Sequence, residues 1–461
     1  MSVPHVVVIG GGISGLTAAY RLHTSTTPVR VTLLEAAPRL GGKISTTPFG
    51  GRMVDEGPDA FLARVPWGTD LCRELGIDDR LISPSSSGAY VVSRGKMRRL
   101  PEGLMLGVPS RLRQIATSGI ISPLGMARAG LDLVLPDNWN GRDESVGDLI
   151  SRRLGREVAE RLVDPLIGSI NASDTFKLSA EMSAPQIADT ARRHRSLIRG
   201  VRELQRQREA TPDAPLFHSF NDGVGVLVDR LAKSLDDDVV KTSTAATSIE
   251  QTDDGYRVGV GTGHLDADAV VIATPARHTA GLVRPLAPAA ADTLDAIEYA
   301  SVAMVTMSFR AGDVGHPLDG SGLLVPEPEG KLVTAVSFAN RKWPHWTDDE
   351  RVLLRVSAGR HGDDRWLQLD DDELVNTLAN EVGELLDISG PVLEWRVTRW
   401  VDSFPQYRPG HGQALTAAEA DLAARAPGIE LCGASYRGVG IPACIRQGDE
   451  AARRVLDRLT S

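Results

Sequence analysis

The stretch His5-Val6-Val7-Val8-Ile9-Gly10-Gly11-Gly12-Ile13-Ser14-Gly15 decides the fold. A short apolar run meets a glycine-rich turn without a linker, and Leu16–Leu22 continues in a helical pattern. Val29–Glu35 (VRVTLLE) then reads as a second strand, which makes one βαβ unit. Gly10, Gly12 and Gly15 have the spacing G-x-G-x-x-G in the context that gives the motif meaning. The first glycine permits a tight turn and the second lets backbone approach a pyrophosphate. The third lets the helix pack closely on the strand, and the helix N-terminus, with Gly11, Ile13 and Ser14, turns a positive dipole to the phosphates. Glu35 ends the second strand, followed by Ala36, where an acid accepts hydrogen bonds from a ribose.

The residues after the second strand separate FAD from NAD. Glu35-x-x-x-Arg39-x-Gly41-Gly42 runs directly into Lys43. A second glycine pair lets another loop approach the cofactor, and Arg39 and Lys43 offer charge to its pyrophosphate. An NAD domain does not need this addition. Gly57-Pro58-Asp59-Ala60 is a further tight turn.

Composition bounds the rest. A chain of 461 residues suggests two or three domains, and 42% apolar with 24% charged residues is an ordinary globular balance. A net charge of −9 leaves no global basic field, which argues against nucleic-acid binding. Cys72, Cys432 and Cys444 are odd in number and widely spaced, so a disulfide framework or zinc knuckle is not expected and a reducing cytoplasm fits. No stretch approaches 18 uncharged apolar residues, and no basic region or cleavage site precedes the first strand, so neither a membrane span nor a secretory signal is expected.

Along the chain, 86–210 has a mostly helical pattern broken at Pro101, Pro109, Pro123 and Pro136, with a Val146–Leu154 helix for which Asp143 and Ser145 are cap candidates. Residues 239–275 read as strands ending in Ala269–Ala273, an apolar run suited to a parallel sheet. Residues 300–360 alternate, as in VAMVTMSF, which predicts a half-exposed, largely antiparallel sheet. A strand Ile429–Gly433, a glycine-rich turn and a helix from about Pro442 to Leu459 close the chain. The expected architecture is α/β, α+β overall: a discontinuous Rossmann-type FAD-binding domain (1–85, 217–275, 396–461), a helical insert (86–210) and a mixed-sheet substrate domain (276–395).

The paired motifs G-x-G-x-x-G and E-x-x-x-R-x-G-G resemble the flavin amine oxidase superfamily. Gly433-Ala434-Ser435-Tyr436-Arg437-Gly438-Val439-Gly440-Ile441-Pro442 narrows the resemblance to the protoporphyrinogen/coproporphyrinogen oxidase family, most like its bacterial coproporphyrinogen III branch. Pro165-Leu166-Ile167-Gly168-Ser169-Ile170, Leu178-Ser179-Ala180, Arg399-Trp400 and Pro405-Gln406-Tyr407 fit the same pattern in the same order. The resemblance implies that the backbone of Ala246 meets the adenine, that Trp400 lies beside the isoalloxazine, and that the turn Val439-Gly440-Ile441 faces the flavin pyrimidine. Without the resemblance, Trp400 reads as a core tryptophan. Pro409-Gly410-His411-Gly412 holds no cysteine where covalent relatives have one, so the FAD is expected to be noncovalent.

The implied reaction is oxidation of a porphyrinogen by molecular oxygen in three two-electron steps, hydride leaving a meso carbon for the flavin, within haem biosynthesis. The cofactor supplies the chemistry, no catalytic side chain is certain, and no metal motif occurs among the ten histidines. Arg64, Lys96, Arg98 and Arg99 are candidates to hold propionates, or else surface charges. Ala89-Tyr90-Val91-Val92 stands where the eukaryotic type has an arginine, and Asn171 where relatives often place an aromatic residue in the pocket wall. The basic stretch 192–208 (RRHRSLIRGVRELQRQR) reads as a helix with a solvated face, or as a contact for anionic lipid at the membrane periphery or for a partner enzyme that hands over substrate; the resemblance also implies a downstream ferrochelatase as a partner. Rival readings are an amine oxidase or carotenoid desaturase, and a non-enzymatic nucleotide-binding module. Six tyrosines and eight phenylalanines are few for an aromatic cage, and two glycine loops exceed what a plain module needs.

Overall fold

The computed structural model describes residues 3–86, 88–135, 141–208 and 215–460. The chain divides into two compact units, Met1–Ser83 with Pro215–Glu298 and Gly412–Ser461, and Pro84–Ala214 with Tyr299–His411. The helical insert and the mixed sheet, expected as separate modules, thus share one unit. The helices Ala276–Val283 and Pro288–Asp295 fall instead in the first unit, and 396–411 in the second. The physical reason for the last shift is a ladder: Glu394–Pro405 pairs along its length with Tyr299–Arg310, which fastens it to the mixed sheet. No described helix is long and apolar enough to cross a membrane.

The first unit is built on a five-stranded parallel sheet in the order Val240–Lys241, Arg30–Leu34, His5–Ile9, Ala269–Ile272, Ile429–Leu431. His5–Ile9 and Ala269–Ile272 are buried throughout, which is why both appear as unbroken apolar runs. Val6 and Val8 share a core with Leu16 and Ala19 of the helix Ile13–His23 and with Ile445, Ala452 and Val455 of the helix Ile441–Leu459. Small residues let these two helices meet: a Cβ on Gly448 would lie 2.3 Å from the Ser14 carbonyl oxygen. An antiparallel meander, Ala246–Thr252, Gly255–Val260 and Gly263–Ala267, leads into Ala269–Ile272.

The second unit holds a seven-stranded sheet in the order Glu394–Pro405, Tyr299–Arg310, Arg351–Ala358, Val333–Phe338, Gly322–Leu324, Tyr90–Ser93, Lys96–Arg99. Two outcomes differ from the sequence reading. Nine of the twelve residues of Tyr299–Arg310 are buried, so this strand is not half-exposed; it is paired on both edges. The helix Asp371–Leu386, started by a capping box between Asp370 and Glu373, packs Leu374, Leu378 and Val382 into the same core as Val305 and Met307. The segment 86–210 also begins with strands: Tyr90–Ser93 and Lys96–Arg99 form a hairpin whose turn uses two left-handed residues, Arg94 (φ 54) and Gly95 (φ 69).

Further along, Pro123 starts a helix capped by Ser122 rather than breaking one, and Pro136 lies outside the described residues. Ser145 caps Val146–Leu154 through the Asp148 N–H at 3.0 Å. Asp143 instead accepts from Ser179 Oγ at 2.7 Å and from the Gly410 N–H at 2.9 Å. The motif beginning at Pro165 lies in a helical stretch, Ala159–Gly168, wound more widely than an α-helix.

The basic stretch 192–208 is not one helix. Pro185–Arg193 ends before His194, and a new helix, Leu197–Arg208, starts after Ser196, whose Oγ accepts the Arg199 N–H at 3.2 Å, with further acceptors supplied from elsewhere. The buried Asp132 accepts from Ser196 Oγ (2.7 Å), Leu197 N (3.1 Å) and Ile198 N (3.0 Å), and pairs with Arg153 at 2.9 Å. Several of the arginines are engaged within the unit: Arg192 with Glu181, Arg195 with the Val134 carbonyl, Arg202 with the Ser110 carbonyl.

The sheet–helix junction gives a direct test. A Cβ on Gly15 would sit 1.9 Å from the Gly10 carbonyl oxygen, whereas one on Gly281, in a helix, would meet nothing within 4 Å. Gly15→Ala should lower the thermal unfolding midpoint by the equivalent of about 1–3 kcal/mol or more. Gly281→Ala should leave it unchanged or raise it slightly, as expected from helix propensity.

Candidate functional site

The candidate nucleotide site lies in the first unit and starts from three constrained glycines. Gly10 (φ 108) turns the chain out of the first strand, and its own Cβ would meet the Ala273 carbonyl at 3.0 Å. Gly15 brings the helix against that turn. Gly12 differs from both: a Cβ there would meet nothing within 4 Å, so the space above it is open. Gly12 is also the N-cap residue of Ile13–His23, and no side chain caps the helix. An uncapped helix start below open space is the arrangement that accepts an anion.

The second glycine pair docks on the first. Gly41 N–H donates to the Gly11 carbonyl at 2.8 Å, and a Cβ on Gly42 would touch Gly12 Cα at 3.4 Å. Gly41 (φ 98) has no room for a side chain either, with the Ile44 carbonyl 2.6 Å from where one would start. Arg39 braces this loop. Its guanidinium donates to the carbonyls of Leu40 (3.2 Å), Ile44 (3.3 Å) and Gly42 (2.8 Å), so its role is to shape the loop rather than only to offer charge. Lys43 is different. Burial pushes its ammonium pKa down, and among the described residues no carboxylate pairs with it. It is a half-buried cation that lacks an anion.

Glu35 ties the strands to the turn. Its Oε2 accepts the Gly11 N–H at 2.7 Å and its Oε1 the Ala37 N–H at 2.7 Å. A carboxylate has about four acceptor positions, so roughly two remain for hydroxyl donors. The backbone of Glu35 and Ala37 also pairs with Lys241, Ser243 and Thr244, which sets Ala36 beside the segment that leads to Ala246. Ala246 opens the meander at an irregularity in its pairing. The turn Gly57-Pro58-Asp59-Ala60 is fixed through the Asp59 carbonyl, which accepts from Ser219 Oγ at 2.7 Å. Val439, Gly440 and Ile441 stand at the start of the last helix, where Gly440 is the N-cap and again no side chain caps the helix. These residues fit a dinucleotide: open space over an uncapped helix, an unmatched cation, and an acid with spare acceptor sites.

The substrate candidates are dispersed. Arg64 is exposed, just after the short strand Phe61–Leu62 of the first unit. In the second unit, Arg99 pairs with Asp319 at 3.1 Å and Arg98 donates to the Ser118 carbonyl at 3.4 Å, so both guanidinium groups already have acceptors. Lys96 is exposed and has no partner among the described residues. Asn171 is buried and structural: its Nδ2 donates to the Ile167 carbonyl at 2.9 Å, and its own carbonyl accepts from Gln406 at 3.2 Å. Trp400 is half-buried in Glu394–Pro405, opposite Val302 in the ladder. Reading by motif stops at Ile441 and misses the side chains one to two turns further on, Cys444, Arg446 and Gln447, which reach back to the loop before the helix.

The open space at Gly12 allows a variant whose effect separates ligand from fold. Gly12→Val should leave the cofactor-free protein within a degree or two of wild type in thermal midpoint, given the ~1 kcal/mol scale of N-cap changes. It should abolish retention of the nucleotide on gel filtration, because the branched side chain would occupy the pyrophosphate's place.

Comparison with known proteins agrees with this geometry. The family model described as flavin containing amine oxidoreductase matches residues 13–456. The chain is 34% identical to the coproporphyrinogen III oxidase of Bacillus subtilis (strain 168), covering 99% of both chains. It is 30% identical to that of Staphylococcus aureus (strain NCTC 8325 / PS 47), covering 98% of this chain and 99% of the relative. The solved structure of a protein described as a protoporphyrinogen oxidase of Exiguobacterium sp. 255-15 superposes with a TM-score of 0.89 at 27% identity, covering 100% of each chain. With most of its length matched by one model and by full-length relatives, the chain belongs to the flavin containing amine oxidoreductase family and groups within it with the coproporphyrinogen III oxidases.

Proposed function

We propose that this chain binds FAD without a covalent bond and oxidises coproporphyrinogen III to coproporphyrin III with molecular oxygen. The full-length likeness to coproporphyrinogen III oxidases carries the choice of reaction. The macrocycle loses six electrons and six protons in three steps, and three O2 become three H2O2. When bound, the flavin supplies hydride acceptance and the passage of electrons to oxygen. The protein's own part is to bind, orient and exclude water. The helix start at Gly12 and the ammonium of Lys43 would hold the two phosphates, the spare acceptor sites of Glu35 would take ribose hydroxyls, and the amides of the Val439–Ile441 turn would donate to the pyrimidine edge. Charge gathers at that edge on reduction, so donors there favour the reduced state.

The thiols support noncovalent attachment. A cysteine attacks as its thiolate. Burial pushes the Cys72 thiol up to about 12 and the Cys444 thiol to about 11, and drives Cys432 higher still. All three stay protonated at neutral pH. Trichloroacetic acid should therefore release all the yellow flavin into the supernatant; colour kept in the pellet contradicts this reading.

Lys96 is the candidate left with an unsatisfied charge, and coproporphyrinogen has four propionates where protoporphyrinogen has two. We expect a higher kcat/KM for coproporphyrinogen III than for protoporphyrinogen IX. Lys96→Gln should lower that value up to about fivefold for the tetra-acid and less for the di-acid, the ~1 kcal/mol upper end for an exposed ion pair. Equal losses for both substrates would remove Lys96 from propionate binding and leave Arg64 as the candidate.

A further inference from the structure

The loop 433–440 is gripped by side chains of the helix that comes after it. Arg437 N–H donates to Gln447 Oε1 at 3.2 Å, and Gln447 Nε2 donates to the carbonyls of Gly438 (3.4 Å) and Ala443 (3.1 Å). Arg446 Nη2 reaches the Arg437 carbonyl at 3.1 Å, while its guanidinium also pairs with Glu450 at 3.0 Å. Cys444 Sγ lies 3.8 Å from both the Gly438 and the Val439 carbonyl oxygens. Gln447 is 4% exposed, so this amide serves the loop and not solvent. The carbonyls of 437, 438 and 439 therefore all turn towards the helix side chains.

Peptide planarity then orients the neighbouring N–H groups. In a trans peptide the carbonyl and the next residue's N–H point in opposite directions. With the Gly438 and Val439 carbonyls held against Gln447 and Cys444, the N–H groups of Val439 and Gly440 must point away from the helix. No acceptor among the described residues meets either of them. Two backbone donors are held outward at the start of a 19-residue helix that has no side-chain cap.

The geometry assigns Gln447 as a positioning residue that, through the Gly438 carbonyl, aims the Val439 N–H at the flavin's pyrimidine oxygen, with the Gly440 N–H set beside it by the Val439 carbonyl against Cys444, and so raises the reduction potential of the bound FAD. This rests on the reading that the turn meets the flavin, and the test separates the two. Gln447→Met removes both hydrogen bonds to the loop, and the third to Ala443, at similar size. It should retain FAD but weaken the preference for reduced over oxidised flavin about tenfold, a fall of roughly 30 mV in the two-electron potential. Gln447→Glu keeps the acceptor for Arg437 N–H and can donate to Gly438 only when protonated. Its deficit relative to wild type should grow as pH rises, which a purely structural residue would not produce; this variant decides if Gln447→Met fails to fold. Gly440→Pro deletes one aimed N–H at a residue whose φ of −70° suits proline, and should lower the potential by itself. If Gly440→Pro lowers the potential while both Gln447 variants stay within about 10 mV of wild type, a third of that tenfold step, Gln447 has no positioning role. An unchanged potential in Gly440→Pro overturns the contact between this turn and the flavin.

Discussion

The close approach between the Gly10 carbonyl and the first turn of the helix Ile13–His23 is the constraint on which the rest of the first unit depends. A side chain at Gly15 would overlap that oxygen at 1.9 Å, so the helix can lie this near the sheet only because the residue is glycine. The approach places the helix start beside the ends of the parallel strands, where Gly12 leaves space and Gly41 can reach the Gly11 carbonyl. It also presents the Ser14 carbonyl at the surface on which Gly448 of the last helix packs. One short contact thus sets the positions of two glycine loops and of two helix starts.

Charge obeys the same economy. The chain carries a net charge of −9, yet the groups around the glycine loops are arranged for an anion: an uncapped helix, a desolvated lysine without a carboxylate, and an acid already holding two N–H groups. Leaving backbone donors and an ammonium unmatched at a partly buried place costs free energy, which an anionic ligand at this place would offset. Elsewhere many of the arginines are matched internally, as Arg94 is by Glu157 and Arg437 by Glu419. Arg153 and Asp132 are both nearly fully buried, and removing either one would strand the other.

The nucleotide half is legible in the sequence because its constraints are local. Strand, turn, glycine spacing and terminal acid lie within 35 residues, and each has one structural solution. The hairpin Tyr90–Arg99 escapes such a reading for want of a signature. Its strands are four residues each, and its turn carries arginine in a left-handed conformation, which the sequence does not advertise. The break in the basic stretch 192–208 is fixed by Asp132, more than sixty residues away, acting with the local cap Ser196; a lone serine among arginines is the only trace of it in a window around His194. The burial of Tyr299–Arg310 likewise depends on a distant element, the helix Asp371–Leu386. Of the candidate site, the glycines and Glu35 stand where the motif places them. The cation candidates are ambiguous in sequence because only a structure can tell a matched arginine, such as Arg99, from an unmatched lysine such as Lys96.

The division of the chain has a consequence for how the protein is made. The first unit is assembled from three separated segments, and the second is inserted between them as two. Its parallel sheet lacks an outer strand until Ile429–Leu431 is present, and the helix that carries Gly440 comes later still. During synthesis the whole of the second unit is polymerised before those pieces exist. The glycine loops near the N-terminus therefore sit in an unfinished sheet until the last segment of the chain is made, so this unit completes its fold only at the end of synthesis.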